Sequence, residues 1–202
     1  MATNKVNTEL QEKCRVITPE FRSSYPHLFK ANAVKGSAPK YSVTMLFKKT
    51  QDLATIKEAI RNAKIVAFGP NKADWPTDLQ SPVDDGDSPK YAGKEGYAGH
   101  WAIKASSNEE NRPGLVDENV QPILDQSQFL PGDYARAQVF ARVWEYMGKR
   151  GIHFILDCVQ KTREGKHFGG KKSAAEVFGP ISGVSLGAQA AGDDEDDSES
   201  FI

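Results

Sequence analysis

Tyr134-Ala-Arg-Ala-Gln-Val-Phe-Ala-Arg-Val-Trp-Glu-Tyr146 is the stretch whose reading decides the fold. A β-strand turns successive side chains to opposite faces, and at that period of two the stretch separates into two unlike surfaces. Ala135, Ala137, Val139, Ala141 and Val143 form one face, small and apolar until Glu145. Tyr134, Arg136, Gln138, Phe140, Arg142, Trp144 and Tyr146 form the other. Rings stack on bases and guanidinium groups meet phosphates, so this second face has the chemistry of a surface for a nucleic-acid single strand. The competing arrangement turns the rings inward, Phe140 first among them. It would bury Arg136 and Arg142, which is costly unless they are paired. The arginines therefore favour a solvent-facing groove.

Working outward, Pro131-Gly-Asp133 leads into this strand and Gly148-Lys-Arg-Gly151 leads out of it. Ile152 to Gln160 is a second strand, which makes the pair a β-hairpin. Upstream, Lys13 to Thr18 reads as a short strand closed by Pro19. Phe21 to Phe29, with Tyr25-Pro26-His27 inside it, reads as an aromatic-rich loop or irregular strand. Lys40 to Lys49 alternates clearly: Tyr41, Val43, Met45 and Phe47 share one face, while Lys40, Ser42, Thr44 and Lys48 share the other, interrupted by Leu46. Leu53, Ile56, Ile60 and Ala63 recur at helical spacing to about Ala67 before Gly69-Pro70. Thr50 is the expected cap of that helix, with Asp52 favouring its dipole. Gly99 to Ser107 is a further strand, and Leu115–Asp117 and Val120–Leu124 are short elements.

Between Asn71 and Gly99 the composition shifts to Pro, Asp, Gly, Lys and Tyr with little periodicity. So long a stretch inside a domain is often a binding or regulatory loop, and Trp75, Tyr91 and Tyr97 are its expected anchors or ligand contacts. Asp84-Asp85-Gly86-Asp87 lacks the spacing and distal Glu of a calcium loop and reads as a solvated acidic turn. The whole pattern is mainly β with one substantial helix, a five-stranded, partly open β-barrel of the oligonucleotide-binding type (OB-fold-like). The helix falls between the second and third strands, earlier than that fold usually places it. Residues 1–172 are the expected domain and residues 173–202 a flexible linker and acidic tail.

Composition narrows the classes further. The chain has 202 residues, 39% hydrophobic and 26% charged, as in a soluble globular protein. It has no apolar run near the roughly 18–20 residues of a membrane helix, so no membrane association is expected. The N-terminus carries no apolar signal core, which argues against export. Cys14 and Cys158 alone argue against a disulfide scaffold and fit a reducing cytoplasm. The formal charge of −1 is uneven. Asp193, Asp194, Glu195, Asp196, Asp197 and Glu199 crowd the last ten residues, leaving 26 basic against 21 acidic side chains in residues 1–192. A mildly basic body thus carries a polyanionic end tipped by Phe201-Ile202. Such an end either solubilises, occupies the chain's own basic groove, or docks on a partner.

Catalytic chemistry is poorly represented. Gly165-Lys-His-Phe-Gly-Gly170-Lys171 has the spacing of a phosphate-binding loop, but Lys172 stands where Ser or Thr should hold magnesium. His27, His100, His153 and His167 are scattered, with no close-spaced zinc pair and no Gly-x-Ser-x-Gly elbow. No catalytic residue, metal or cofactor is called for. The binding chemistry is denser: Lys40, Lys48 and Lys49 flank one strand, Lys104 lies on another, and Lys149 and Arg150 lie at the hairpin tip, beside the Tyr134–Tyr146 face.

Four blocks carry a resemblance: Gly96-Tyr-Ala-Gly-His-Trp-Ala-Ile-Lys-Ala-Ser106, Arg112-Pro-Gly-Leu-Val-Asp117, Pro131-Gly-Asp-Tyr-Ala-Arg136 and Gly151-Ile-His-Phe-Ile-Leu-Asp-Cys-Val-Gln-Lys161. In these, across most of residues 13–170, the chain resembles a family of phage single-stranded-DNA-binding proteins. The resemblance implies an oligonucleotide-binding fold and a non-enzymatic role coating single strands during phage replication or recombination, in the cytoplasm of an infected bacterial host. The acidic end is similar to those of bacterial and podovirus single-strand binders. In those proteins it recruits replication and recombination proteins and competes for the DNA groove, so duplex DNA becomes a further ligand when the tail is absent. The bacterial form ends Pro-Phe, whereas Ser200-Phe201-Ile202 ends this one. A homo-oligomer stays open, as do two other classes: a replication or recombination nuclease or ATPase, and a phage structural or adaptor protein.

Overall fold

The computed structural model describes residues 8–33 and 36–169. Among them are β1 (Arg15–Ile17), β2 (Phe21–Asn32), β3 (Lys40–Lys48), β4 (Val83–Asp85), β5 (His100–Asn108), β6 (Gly114–Val116), β7 (Tyr134–Tyr146) and β8 (Lys149–Arg163), with one long helix, α1 (Ala54–Phe68). The strands form one sheet in the order β1-β7-β2-β3-β5-β8-β6, with β4 beside β5, and a β7–β8 pairing closes it. The closed ring is therefore β7, β2, β3, β5 and β8. Its neighbours run antiparallel except β5 and β8, which are parallel. This is the expected oligonucleotide-binding barrel, mainly β with one substantial helix. Two seams are short: Phe21 and Arg22 face Ala135 and Tyr134, and Ala105 and Ser106 face Phe154 and Ile155.

The two faces of β7 go where their chemistry sends them. Ala135, Ala137, Val139 and Ala141 are buried in the barrel with Val43, Met45, Phe47, Ile103, Phe154 and Leu156. The aromatic and arginine residues occupy the outer face, half-buried or exposed. Small side chains on β7 let α1 pack closely over it, and over the neighbouring β1, through Ile56, Ala59 and Ala63. Burying a residue such as Ile56 stabilises by about 1.5–3 kcal/mol. Asn62 shares this buried face, and its amide donates to the Lys13 carbonyl at 3.1 Å, which satisfies it.

Several local expectations need correction. Thr50 does not cap α1; the cap position is Leu53, whose side chain cannot accept a hydrogen bond. Asp52 instead accepts from the Ala54 N–H at 2.9 Å. Of the two alternatives for Phe21–Phe29 the irregular strand is the one found, extended to Asn32 and bent by register shifts around Pro26. The hairpin turn is tighter than the Gly148–Gly151 link suggests. Met147 and Gly148 both have left-handed φ, 49° and 72°, as a two-residue type I′ turn requires. Lys149 and Arg150 consequently belong to β8, opposite Tyr146 and Glu145.

Residues 71–99 are more ordered than their composition suggests. They contain two 3₁₀ turns and β4. Tyr91 stacks on Tyr97 with centroids 4.5 Å apart, and Tyr97 is buried on Leu46 and Ala102. That is why an apolar Leu46 interrupts the outer face of β3: this loop covers it. The acidic turn within the loop is neutralised by Lys49, which pairs with both Asp85 and Asp87.

After β8 the chain lies as a strap over the barrel. The Gly165 N–H donates to Asp133 at 3.1 Å, the Phe168 N–H to the Pro131 carbonyl at 3.0 Å, and the Gly169 N–H to Glu95 at 3.1 Å. Through Gly169 the phosphate-loop-like segment is thus a strap, and its last residues, Gly170 and Lys171, lie outside the described residues. The described residues to Gly169 form one compact unit. Gly170–Ile202 lies outside the described residues. So do the expected linker and the tail residues Asp193, Asp194, Glu195, Asp196, Asp197, Glu199, Phe201 and Ile202. No helix among the described residues is long and apolar enough to cross a membrane.

Candidate nucleic-acid interface

Cross-strand register assembles the candidate interface. Thr44 faces Lys104, and His153 faces Arg142. The parallel pair Ala105–Phe154 sets Lys104 beside His153, one residue earlier on each strand. Ala105 and Phe154 point into the core, so their neighbours Lys104 and His153 point out. Thr44, Lys104, His153 and Arg142 therefore form a row across the outer face of β3, β5, β8 and β7. The parallel row contains His27, Ser42 and Ser106, the first two paired across β2 and β3.

Two open depressions meet at Lys40 on this face. One, of about 360 Å³, is lined by Tyr25, His27, Asn32, Ser37, Ala38, Lys40, Ser42, Thr44 and Lys104. The other, of about 670 Å³, is lined by Lys40, Ser106, Asn108, Glu110, Asn111, Arg112, Arg142, His153, Ile155 and Asp157 among others. Asp157 is held by Arg15 at 2.7 Å. Burial pushes the His153 imidazole pKa down, and the nearby Lys40 and Arg142 charges push it further in the same direction. Lys40, Lys104, Arg112 and Arg142 have no carboxylate partner among the described residues, whereas Arg15, Lys49, Lys90, Arg150, Lys161 and Arg163 are each held by one. A concentration of uncompensated cations on one face attracts an anion.

The residues singled out from sequence are spread over several surroundings. Lys40, Lys104 and Arg142 come together in the groove. Phe140 packs partly against the core, with the Arg15 guanidinium 5.4 Å from its ring centroid. Tyr134 lies under Arg163, 3.3 Å from the ring centroid, and Arg163 in turn pairs with Glu20. Arg136 donates to the Gln160 side chain at 2.8 Å. Trp144 packs over Gly151, where an added Cβ would sit 2.9 Å from the indole nitrogen. Tyr146 is exposed beside the turn, as is Lys149. Arg150 pairs with Asp78, and Lys49 is held by two carboxylates and lies 4.8 Å from the Trp101 ring. Lys48 is exposed at the far end of β3, opposite His100. A strand of 13 residues spans roughly 43 Å at about 3.3 Å per residue, so its outer face cannot serve a single compact site.

Tyr25, His27, Ser42, Thr44, Ser106, Arg112 and His153 also line the groove and were not singled out from sequence. Their sequence signal was the polar side of β3 and the Tyr25-Pro26-His27 cluster. What joined them was register. Among the described residues no three His, Cys, Asp or Glu side chains group so as to hold a metal ion.

No curated protein sequence matches the chain significantly. Solved structures do. The single-stranded DNA-binding protein from bacteriophage Enc34, in complex with ssDNA, superposes with a TM-score of 0.67 at 23% identity, covering 78% of this chain and 91% of that one. A C-terminal truncation of the same protein gives 0.64 at 23% identity, covering 78% and 90%. Gp2.5, a single-stranded DNA-binding protein encoded by bacteriophage T7, gives 0.54 at 11% identity, covering 75% and 93%. At these identities the superpositions establish the shared fold. The family follows from sequence: a model described as Enterobacter phage Enc34, ssDNA-binding protein matches residues 14–197, and the chain belongs to that family.

Proposed function

We propose that the chain binds single-stranded DNA along the outer groove of β3, β5, β7 and β8, largely independently of sequence. It coats the strand during phage DNA replication or recombination in the cytoplasm of the infected host, and it acts by binding, without catalysis. The observation that carries this reading is the group of cations without a carboxylate partner among the described residues, Lys40, Lys104, Arg112 and Arg142, on a face whose other lining is mostly neutral, its two carboxylates being Glu110 and the Arg15-held Asp157. Family membership supports it. Titration of a fluorescent oligonucleotide at several salt concentrations is the direct test. Saturable binding is expected, with a log–log salt slope of about −3 if all four cations meet phosphates, each contributing near −0.7. No saturable, salt-sensitive binding to any single strand would sink the reading.

Protonation supplies a second measurement. The folded-state pKa of His153 lies below the ordinary imidazole value. Its contribution to stability is therefore present above about pH 6.5 and is lost as pH falls through the lowered value. A phosphate beside it offsets the Lys40 and Arg142 charges and favours the imidazolium. Binding then takes up a proton, and affinity rises as pH falls below about 6.5. His153→Gln is expected to flatten that rise, measured as the difference between variant and parent from pH 5.5 to 8. Superimposable profiles would remove His153 from the interface.

The acidic tail is proposed to compete for the same groove and to recruit replication or recombination proteins. Deleting residues 193–202 is expected to tighten oligonucleotide binding at low salt and to extend it to duplex DNA. Unchanged affinity would refute the competition.

A further inference from the structure

We infer that Tyr25 is a stacking platform for a nucleobase at the β2 end of the groove, beside the cations that begin with Lys40 and Lys104 and run on to Arg142; this rests on the single-strand reading above. Tyr25 has a left-handed φ of 47°, a conformation that is unfavourable for a bulky aromatic residue. Pro26 follows it and has no N–H to donate, and the β2–β3 register shifts between Ser24 and His27. Ser23 and Ser24 are both buried, and the irregularity then turns Tyr25 outward, 56% exposed. Its hydroxyl has no hydrogen-bond partner among the described residues. The strain therefore secures neither a packed ring nor a satisfied hydroxyl, and backbone strain that the fold does not use is a mark of functional sites.

The surroundings of the ring fit a base. His27, Asn32, Ser42 and Thr44, all neutral or weakly basic hydrogen-bonding groups, line the depression beside it. The cations begin at the far side of the same depression, with Lys40 and Lys104, and continue to Arg142 and Arg112. Lys94 lies 5.8 Å from the Tyr25 ring centroid, at the border of a second depression that Tyr25 also lines. An open ring between two depressions is placed to take a base on its face, and such stacking tolerates any sequence.

The test uses the full chain with Tyr25→Asn and Tyr25→Phe, an oligo-dT, and an abasic strand of the same length. Asn adopts the left-handed region more readily than Tyr, so the thermal midpoint of Tyr25→Asn is expected not to fall. Its affinity for oligo-dT is expected to drop about tenfold, roughly 1.4 kcal/mol, while its affinity for the abasic strand stays that of the parent. Tyr25→Phe is expected to match the parent on both. Equal losses on the two strands, or no loss on oligo-dT while the parent binds it, would overturn the inference and leave the single-strand reading intact. An unfolded Tyr25→Asn would make the ring structural and overturn it as well. A parent protein that binds neither strand would overturn the single-strand reading itself.

Discussion

The double variant Lys104→Glu, Arg142→Glu is expected to bind single-stranded oligonucleotide at least about a hundredfold more weakly than the parent at low salt. Charge-assisted hydrogen bonds are worth about 1.5–3 kcal/mol each, and a hundredfold corresponds to about 2.7 kcal/mol. Losing two contacts and adding two repulsive carboxylates therefore exceeds that mark. Both side chains are exposed on the outer face, so thermal stability should change little, by about 0.5 kcal/mol or less apiece. The salt slope should also fall by about 1.4, two contacts at near 0.7 each. The control is Lys49→Glu with Arg150→Glu, whose cations are already engaged by Asp85, Asp87 and Asp78. It is expected to have a much smaller effect on affinity. Equal losses in the two double variants would mean that net charge, not this groove, governs binding.

Asp133→Ala is expected to destabilise the protein by about 3–5 kcal/mol, the usual cost of removing one partner of a buried ion pair. Asp133 is 1% exposed and accepts from the Leu130 N–H at 2.9 Å and the Gly165 N–H at 3.1 Å. The Lys161 ammonium, itself only 11% exposed, lies 3.1 Å from the carboxylate. Alanine leaves that ammonium without its buried counter-charge and two backbone donors unpaired, and it frees the strap at Gly165. Lys161 retains the Gln128 carbonyl at 2.7 Å, which moderates the loss. Asp133→Asn keeps the shape and one acceptor and should lose less. Chemical denaturation of the three proteins reads the series, and a loss below about 1 kcal/mol for Asp133→Ala would show the network to be dispensable.

The parts of this fold that were legible in sequence are those where burial has a period. The small apolar face of β7, the alternation of β3 and the stripe of α1 each report one buried side, and each lies where its pattern puts it. The site was less legible because its determinants are relations between distant residues. Nothing near Lys49 in sequence says that Asp85 and Asp87 will neutralise it. Nothing in β7 alone says that Arg142 will face His153 while Arg136 is tied to Gln160. Leu46 interrupts an alternating strand because Tyr97, far away in sequence, covers it. Tyr25 was hidden for another reason: a proline in a strand signals irregularity without saying which way the neighbouring side chain will turn.

The seam that joins β2 to β7 also sets the order in which the chain can assemble. Phe21 and Arg22 find their partners in Ala135 and Tyr134, and Ala105 finds Phe154, so the barrel closes only when the hairpin of β7 and β8 exists. During synthesis the β2–β3–β5 meander can pair early, yet it exposes Val43, Met45 and Phe47 until the last strands emerge. Closure over such sequence separation belongs to the slow class of folding events, milliseconds to seconds. A nascent chain stalled before Arg163 is therefore an open sheet with a sticky inner face, and premature termination in this stretch should yield aggregates instead of weakened binders.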